Sequence, residues 1–171
     1  MIEVRPLTAA EGRRYLGALA QVLVDCVDGG ASVSFMPPFS QADAERFFDS
    51  VLSEVEAQKR ILLAAFVDGQ LAGTVQIVHA TPPNQAHRAD IAKLLVMRSA
   101  RAQGIGARLM EQAEESARRA GKTLLVLDTC ADTAADRLYT RLGWTRVGII
   151  PKYALNPDGS WCDTTVFWKE I

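Results

Sequence analysis

Two parts of this chain hold the residues best able to do chemistry. The first is Arg101-Ala102-Gln103-Gly104-Ile105-Gly106-Ala107-Arg108, which follows the apolar run Ile91–Val96. Beyond it, Gly106, Leu109, Met110, Ala113 and Ala117 recur at helical spacing. A strand, a glycine turn and a helix start aim free backbone N–H groups at one point, and the helix dipole adds about half a positive charge there. The ligand this geometry suits is an anion such as a phosphate. Gly104 and Gly106 keep Cβ atoms out of its path, and Arg101 adds a fixed positive charge.

The second part is a set of proton-handling groups. Period-two alternation places Asp90 on one strand face with Ala92, Leu94 and Val96, where a carboxylate needs a partner or a task. Asp128 sits where the strand Lys122–Asp128 ends, the usual place for ligand-facing residues in open α/β sheets. Tyr139 lies on a short helix with Leu138 and Leu142, either as a core tyrosine or as a donor to a leaving group. An unperturbed phenol is a weak acid, so a donor role needs a lowered pKa or transfer concerted with bond cleavage. The plain alternatives are an Asp128 that caps the turn before Thr129 and an Asp90 paired with Arg88. Cys130 has no histidine near it in sequence to activate it. A dinucleotide-binding reading fails because Leu109 stands where a third glycine belongs, and a P-loop reading lacks Gly-Lys-Ser/Thr.

The elements that must carry these groups are legible. Ile2–Leu7 reads as a strand, and Thr8 caps a helix with the stripe Tyr15, Leu16, Leu19, Leu23 and Val27. The Gly29–Pro38 stretch breaks that pattern as a loop with apolar residues, suited to a lid or an acceptor wall. Ser40 starts a second helix through about Lys59. Ile61–Val67 and Gln70–Ala80, joined by Asp68-Gly69, form a hairpin. A strand from about His87 to Val96, the helix ending at Ala120, the strand Lys122–Asp128, a helix Ala134–Leu142 and strands Trp144–Ile150 and Trp161–Trp168 complete the order β-α-α-β-β-β-α-β-α-β-β. That order predicts an α/β fold, a mixed sheet with helices on both faces. Trp161–Trp168 reads as an exposed edge strand suited to homodimer pairing.

Composition narrows the field. The chain has 171 residues, 49% apolar and 23% charged, which fits one globular domain spanning residues 1–171. A net charge of −1 gives no pull toward nucleic acid or a membrane surface, and the longest apolar run, Ile61–Val67, is too short to cross a bilayer. Two histidines make no convincing metal site, so no metal is expected. Cys26, Cys130 and Cys162 are odd in number and scattered, which suits reduced thiols in a cytoplasm.

The run Arg101-Ala102-Gln103-Gly104-Ile105-Gly106, followed by Tyr139-Thr140-Arg141-Leu142-Gly143-Trp144, resembles the GCN5-related N-acetyltransferase (GNAT) superfamily over about Leu94–Val147. Its motif is Arg/Gln-x-x-Gly-x-Gly/Ala, then a Tyr shortly before Gly and an aromatic. Ala102 stands where Gly is frequent, Asp132 where Asn is frequent, and Trp144 where Phe is common. More narrowly, Gly29–Val33, His87–Asp90, Leu127–Thr129 and Pro157–Gly159 are similar to tabtoxin-resistance-type acetyltransferases.

The resemblance implies a mostly antiparallel sheet of about seven strands and acetyl-CoA as cosubstrate. It implies that Leu95, Val96 and Met97 offer backbone to the pantetheine arm, and that Arg101, Ala102, Gln103, Gly104, Ile105, Gly106, Ala107 and Arg108 surround the pyrophosphate. Asp132 and Ala135 are implied on the cofactor side. Tyr139 is implied as donor to the coenzyme A thiolate, with Asp90 and Asp128 helping to deprotonate the acceptor. The expected partner is a small-molecule amine, amino-acid-like or an antibiotic or toxin. An acyl-CoA-binding regulatory module and a protein lysine or N-terminal acetyltransferase remain as alternatives.

Overall fold

The computed structural model describes residues 1–171. Strands β1 (Ile2–Leu7), β2 (Arg60–Val67), β3 (Gln70–His79), β4 (Arg88–Val96), β5 (Leu124–Cys130), β6 (Thr145–Leu155) and β7 (Trp161–Glu170) form one sheet in the order β1-β2-β3-β4-β5-β7-β6. All neighbours are antiparallel except β4 and β5. The β2–β3 turn uses Asp68 and Gly69 at positive φ, as an Asp-Gly pair favours.

Helices α1 (Ala9–Arg14), α2 (Leu16–Asp28) and α3 (Gln41–Glu56) cover one face. There Leu19, Leu23, Phe48 and Leu52 pack on Leu62, Ala64 and Phe66. Helices α4 (Ile105–Arg119) and α5 (Ala134–Arg141) cover the other, with Leu109, Met110 and Tyr139 on Leu63, Val75, Ile77 and Leu127. Residues of β2 therefore alternate between two cores, and the strand reads as one apolar run because both its faces are buried. No helix is long and apolar enough to cross a membrane.

Four sequence expectations change. The helix after Thr8 is two helices, because Tyr15 departs from helical geometry between them and turns its ring onto Phe66, with centroids 5.2 Å apart. β7 is not an edge: it lies between β5 and β6, and β6 is the exposed border. Alternation cannot reveal this, since it reports faces and not neighbours. Cys130 and Cys162 are joined as a disulfide, and only Cys26 is a free thiol. The antiparallel pairing of β5 with β7 sets Cys130 opposite Thr164, one same-face step from Cys162, and a separation of 32 residues hides that proximity.

The fourth concerns β4. Its register on β3 slips between Thr74↔Leu95 and Gln76↔Ala92, a bulge at Lys93, which has φ +51. The bulge reverses the alternation. Leu94 and Val96 pack on the core under α4 together with Ala89 and Ile91, so Asp90 and Ala92 face the opposite side, toward α2 and α3.

Candidate active site

β4 and β5 are the only parallel pair, and they pair only from Arg88↔Leu124 to Asp90↔Val126. Beyond that point they separate, and the β5-facing backbone of Ile91–Val96 is left without a strand partner. At the mouth of this gap the chain passes through a 3₁₀ turn, Arg98–Ala100, and enters α4.

The start of α4 leaves its backbone donors free. No side chain caps it, and the first intrahelical bond is Arg108 N–H to the Gly104 carbonyl at 3.2 Å. The N–H groups of Gly104, Ile105, Gly106 and Ala107 are therefore the free donors of the first turn. Gly104 takes φ +79 with nothing within 4 Å of where a Cβ would stand. Gly106 serves a different purpose from the one expected. A Cβ there would meet Leu138 Cδ2 at 3.2 Å, so this glycine lets α4 approach α5. Ala102 has φ +62 where the motif commonly has glycine. We expect Ala102→Gly to change stability by no more than about 1 kcal/mol, in the stabilising direction, and Gly104→Ala to cost about 1 kcal/mol or more. Denaturant unfolding of both variants checks the opposite signs.

Two arginines of this stretch are committed elsewhere. Arg101 folds back, donating Nε to the Val96 carbonyl at 3.1 Å with Nη2 at 3.9 Å from Cys26 Sγ. Arg108 donates to the Ile2 carbonyl at 3.2 Å. Gln103 and Ala102 are exposed at the turn. Leu95 is buried toward α2, while Val96 and Met97 are half-buried at the strand's end. The Val96 carbonyl is thus occupied, and the Met97 N–H is spent on Ala72. Asp25 locks the turn to α2 by accepting from the Arg98 N–H at 2.7 Å and from its Nε at 2.9 Å. Sequence reading missed this lock, because a salt bridge across 73 residues leaves no periodic trace.

Tyr139 stands across the gap on α5. Its ring packs against Trp144 and Phe167, with centroids 6.0 and 5.8 Å away. Gln76 Nε2 is the one fully buried side-chain nitrogen or oxygen atom without a hydrogen-bond partner, and the buried Tyr139 hydroxyl bonds no protein group. Burial, reinforced by the Asp128 carboxylate, raises the phenol far above its ordinary pKa. Asp128 is exposed, two residues before β5 ends, and its charge also reaches Lys93. Asp90 lies at the apex of the gap and accepts from Arg88 Nη1 at 2.7 Å. Asp132, at φ +59, donates its N–H to Asp136, and Ala135 packs on the core beneath.

Two buried carboxylates hold this side in place. Asp136 accepts from the Asp132 N–H, from Arg146 Nη2 at 2.6 Å and from Thr165 Oγ1 at 3.2 Å. Glu114 accepts from Trp144 Nε1 at 3.1 Å and from Lys169 at 2.8 Å. Their helical positions are legible in the sequence, but their partners lie on β6, β7 and the loop before β6.

A splayed parallel strand pair, an uncapped helix start at its mouth and a tyrosine across the gap give this edge of the sheet free backbone donors and room for an extended ligand. The chain belongs to the acetyltransferase (GNAT) family, whose profile matches residues 30–144. A protein of Azospirillum brasilense, called an uncharacterized N-acetyltransferase of the hisH–hisA intergenic region, is 35% identical over 106 residues. That alignment spans 61% of this chain and 61% of the relative. A GNAT-family acetyltransferase from Streptococcus pneumoniae shares the fold over 100% of both chains, with a TM-score of 0.81 at 22% identity. An acetyltransferase structure from Salmonella typhimurium, holding its cofactor acetyl-CoA, matches 99% of this chain and 93% of its own at a TM-score of 0.80 and 18% identity. The residues present fit that cosubstrate: four free N–H groups, open space at Gly104 and an unpaired strand edge.

Proposed function

We propose that this chain transfers the acetyl group of acetyl-CoA to the primary amine of a small molecule by direct attack. The observation that carries this reading is the β4–β5 gap, with free anion-binding donors at one end and Tyr139 and Asp128 at the other. Bound there, acetyl-CoA supplies an activated acyl group as a thioester. The N–H groups of Gly104, Ile105, Gly106 and Ala107 bind its phosphates, and the open edge of β4 aligns the arm between them and Tyr139. Asp128 accepts the proton released by the attacking amine. It suits that task better than Asp90, whose carboxylate is engaged by Arg88. Tyr139 keeps its proton throughout the working range and donates a hydrogen bond to sulfur as the C–S bond breaks. Holding amine and thioester together in such a gap provides most of the rate.

The loop 29–40 favours a small acceptor over a polypeptide. Ser32 Oγ donates to the Leu155 carbonyl at 2.8 Å, tying the loop to the end of β6 and narrowing any groove between them. The exposed edge of β6, with Val147, Ile149, Ile150 and Tyr153 in solvent, is the surface through which we propose a homodimer forms. Release of the coenzyme A thiol, followed with a thiol-reactive dye across a panel of amines, tests the reaction. If acetyl-CoA binds but no amine accelerates release, the transferase reading falls and a binding module takes its place.

A further inference from the structure

On the sheet face turned toward α2 and α3 lie two donors that acetyl transfer does not use. Gln76 of β3 is fully buried. Its Oε1 accepts from Arg60, which fixes the amide's orientation and turns Nε2 away from Arg60. That Nε2 is the orphan donor noted above. An amide N–H left unmade in a protein interior is costly, and it asks for an explanation.

The register Gln76↔Ala92 sets this amide beside the β4 bulge, and the next residue is Lys93. The bulge directs Lys93 toward the loop, where Nζ donates to Ser34 Oγ at 3.1 Å and lies 5.9 Å from the Phe35 ring centroid. Lys93 forms no ion pair. Burial holds its pKa below the ordinary lysine value, with the Asp128 carboxylate opposing and Arg60 adding to the effect. A half-buried ammonium without an ion-pair partner and a buried amide without an acceptor therefore share one side of the sheet. A carboxylate satisfies both, because it is anionic and has two oxygens that each accept more than one bond.

We infer that Lys93 Nζ and Gln76 Nε2 form a carboxylate subsite for the acceptor, which makes the acceptor a zwitterion of amino-acid type. The carboxylate lies against Lys93 and Gln76, and the amine lies toward Asp128. Asp128 alternates with Leu127 of the α4-side core and so faces the same side of the sheet as Gln76, and its carboxylate acts on the Lys93 ammonium. This inference rests on the reading of the chain as a small-amine acetyltransferase.

Calorimetric titration of the standard L-amino acids, each against its carboxamide, into the full chain saturated with coenzyme A tests it. Turnover of the same compounds with acetyl-CoA runs in parallel. At least one acid should bind roughly tenfold to a hundredfold more tightly than its amide, the range of a hydrogen bond to a charged group. Lys93→Met and Gln76→Met should each bring that ratio to within about threefold of one, and Lys93→Arg should keep part of it. Coenzyme A affinity reports whether each variant is folded, and the acid–amide comparison on the unaltered chain decides the matter if a variant is not. Acids and amides binding alike, no acid binding, or an unchanged ratio in both methionine variants overturns the subsite. An acid that binds but is never acetylated removes the transferase reading and leaves the subsite. Amides acetylated as well as acids remove the subsite and leave the transferase.

Discussion

Tyr139→Phe is expected to lower kcat by about a hundredfold or more while acetyl-CoA binding is kept. A positioned proton or hydrogen-bond donor is typically worth a factor of 10² to 10⁴. The ring that fills the space between Trp144 and Phe167 is unchanged in the variant, and the lost hydroxyl bonds no protein group. Stability near neutral pH should therefore move little. The same burial sets a pH signature. The folded phenol's pKa lies above that of the unfolded chain, so below about pH 10 both states hold the proton and nothing is lost. Above it the unfolded phenol ionises while the buried one resists, and stability falls with pH by at most about 1.4 kcal/mol per unit. Unfolding measured from pH 8 to 11 should show that decline weakened in Tyr139→Phe. Undiminished turnover by the variant would remove Tyr139 from the mechanism.

Glu114→Ala should destabilise the fold by about 3 kcal/mol, the effect of breaking a buried ion pair from one side. The carboxylate is about nine-tenths buried, and its loss leaves Lys169 with only the Leu142 carbonyl and the Trp144 indole N–H with no acceptor. In a chain this long that corresponds to roughly 6–12 °C in the unfolding midpoint. Because Trp144 packs on Tyr139, kcat should also fall below the melting range while coenzyme A affinity changes less. Glu114→Gln, which can still accept from Trp144 and Lys169, should recover much of both losses. A midpoint shift of under about 2 °C for Glu114→Ala would show that the pair contributes little.

The parts read correctly from sequence are those set by local chemistry. The Asp68-Gly69 turn, the Thr8 and Ser40 caps and the stripe of α4 all follow from residues within a few positions of one another. The helix start at Gly104 was readable for the same reason, since its free N–H groups come from one turn of chain. Asp90 was misplaced because period-two alternation assumes an unbroken ladder, and the bulge at Lys93 is fixed by how β4 meets β3. The purpose of Gly106 was misjudged because its constraint, Leu138, is on another helix.

The sequence by itself determined most of the elements and the glycine-rich start of α4, because each is encoded in short-range pattern and side-chain type. Only the tertiary structure decided that β4 and β5 part after Asp90, that β7 is interior, that Cys130 meets Cys162, and that Lys93 next to the β4 bulge neighbours the Gln76 amide, whose Nε2 has no acceptor. These facts depend on which strands become neighbours and in what register. Long-range packing free energy settles that pairing, and no spacing along the chain records it.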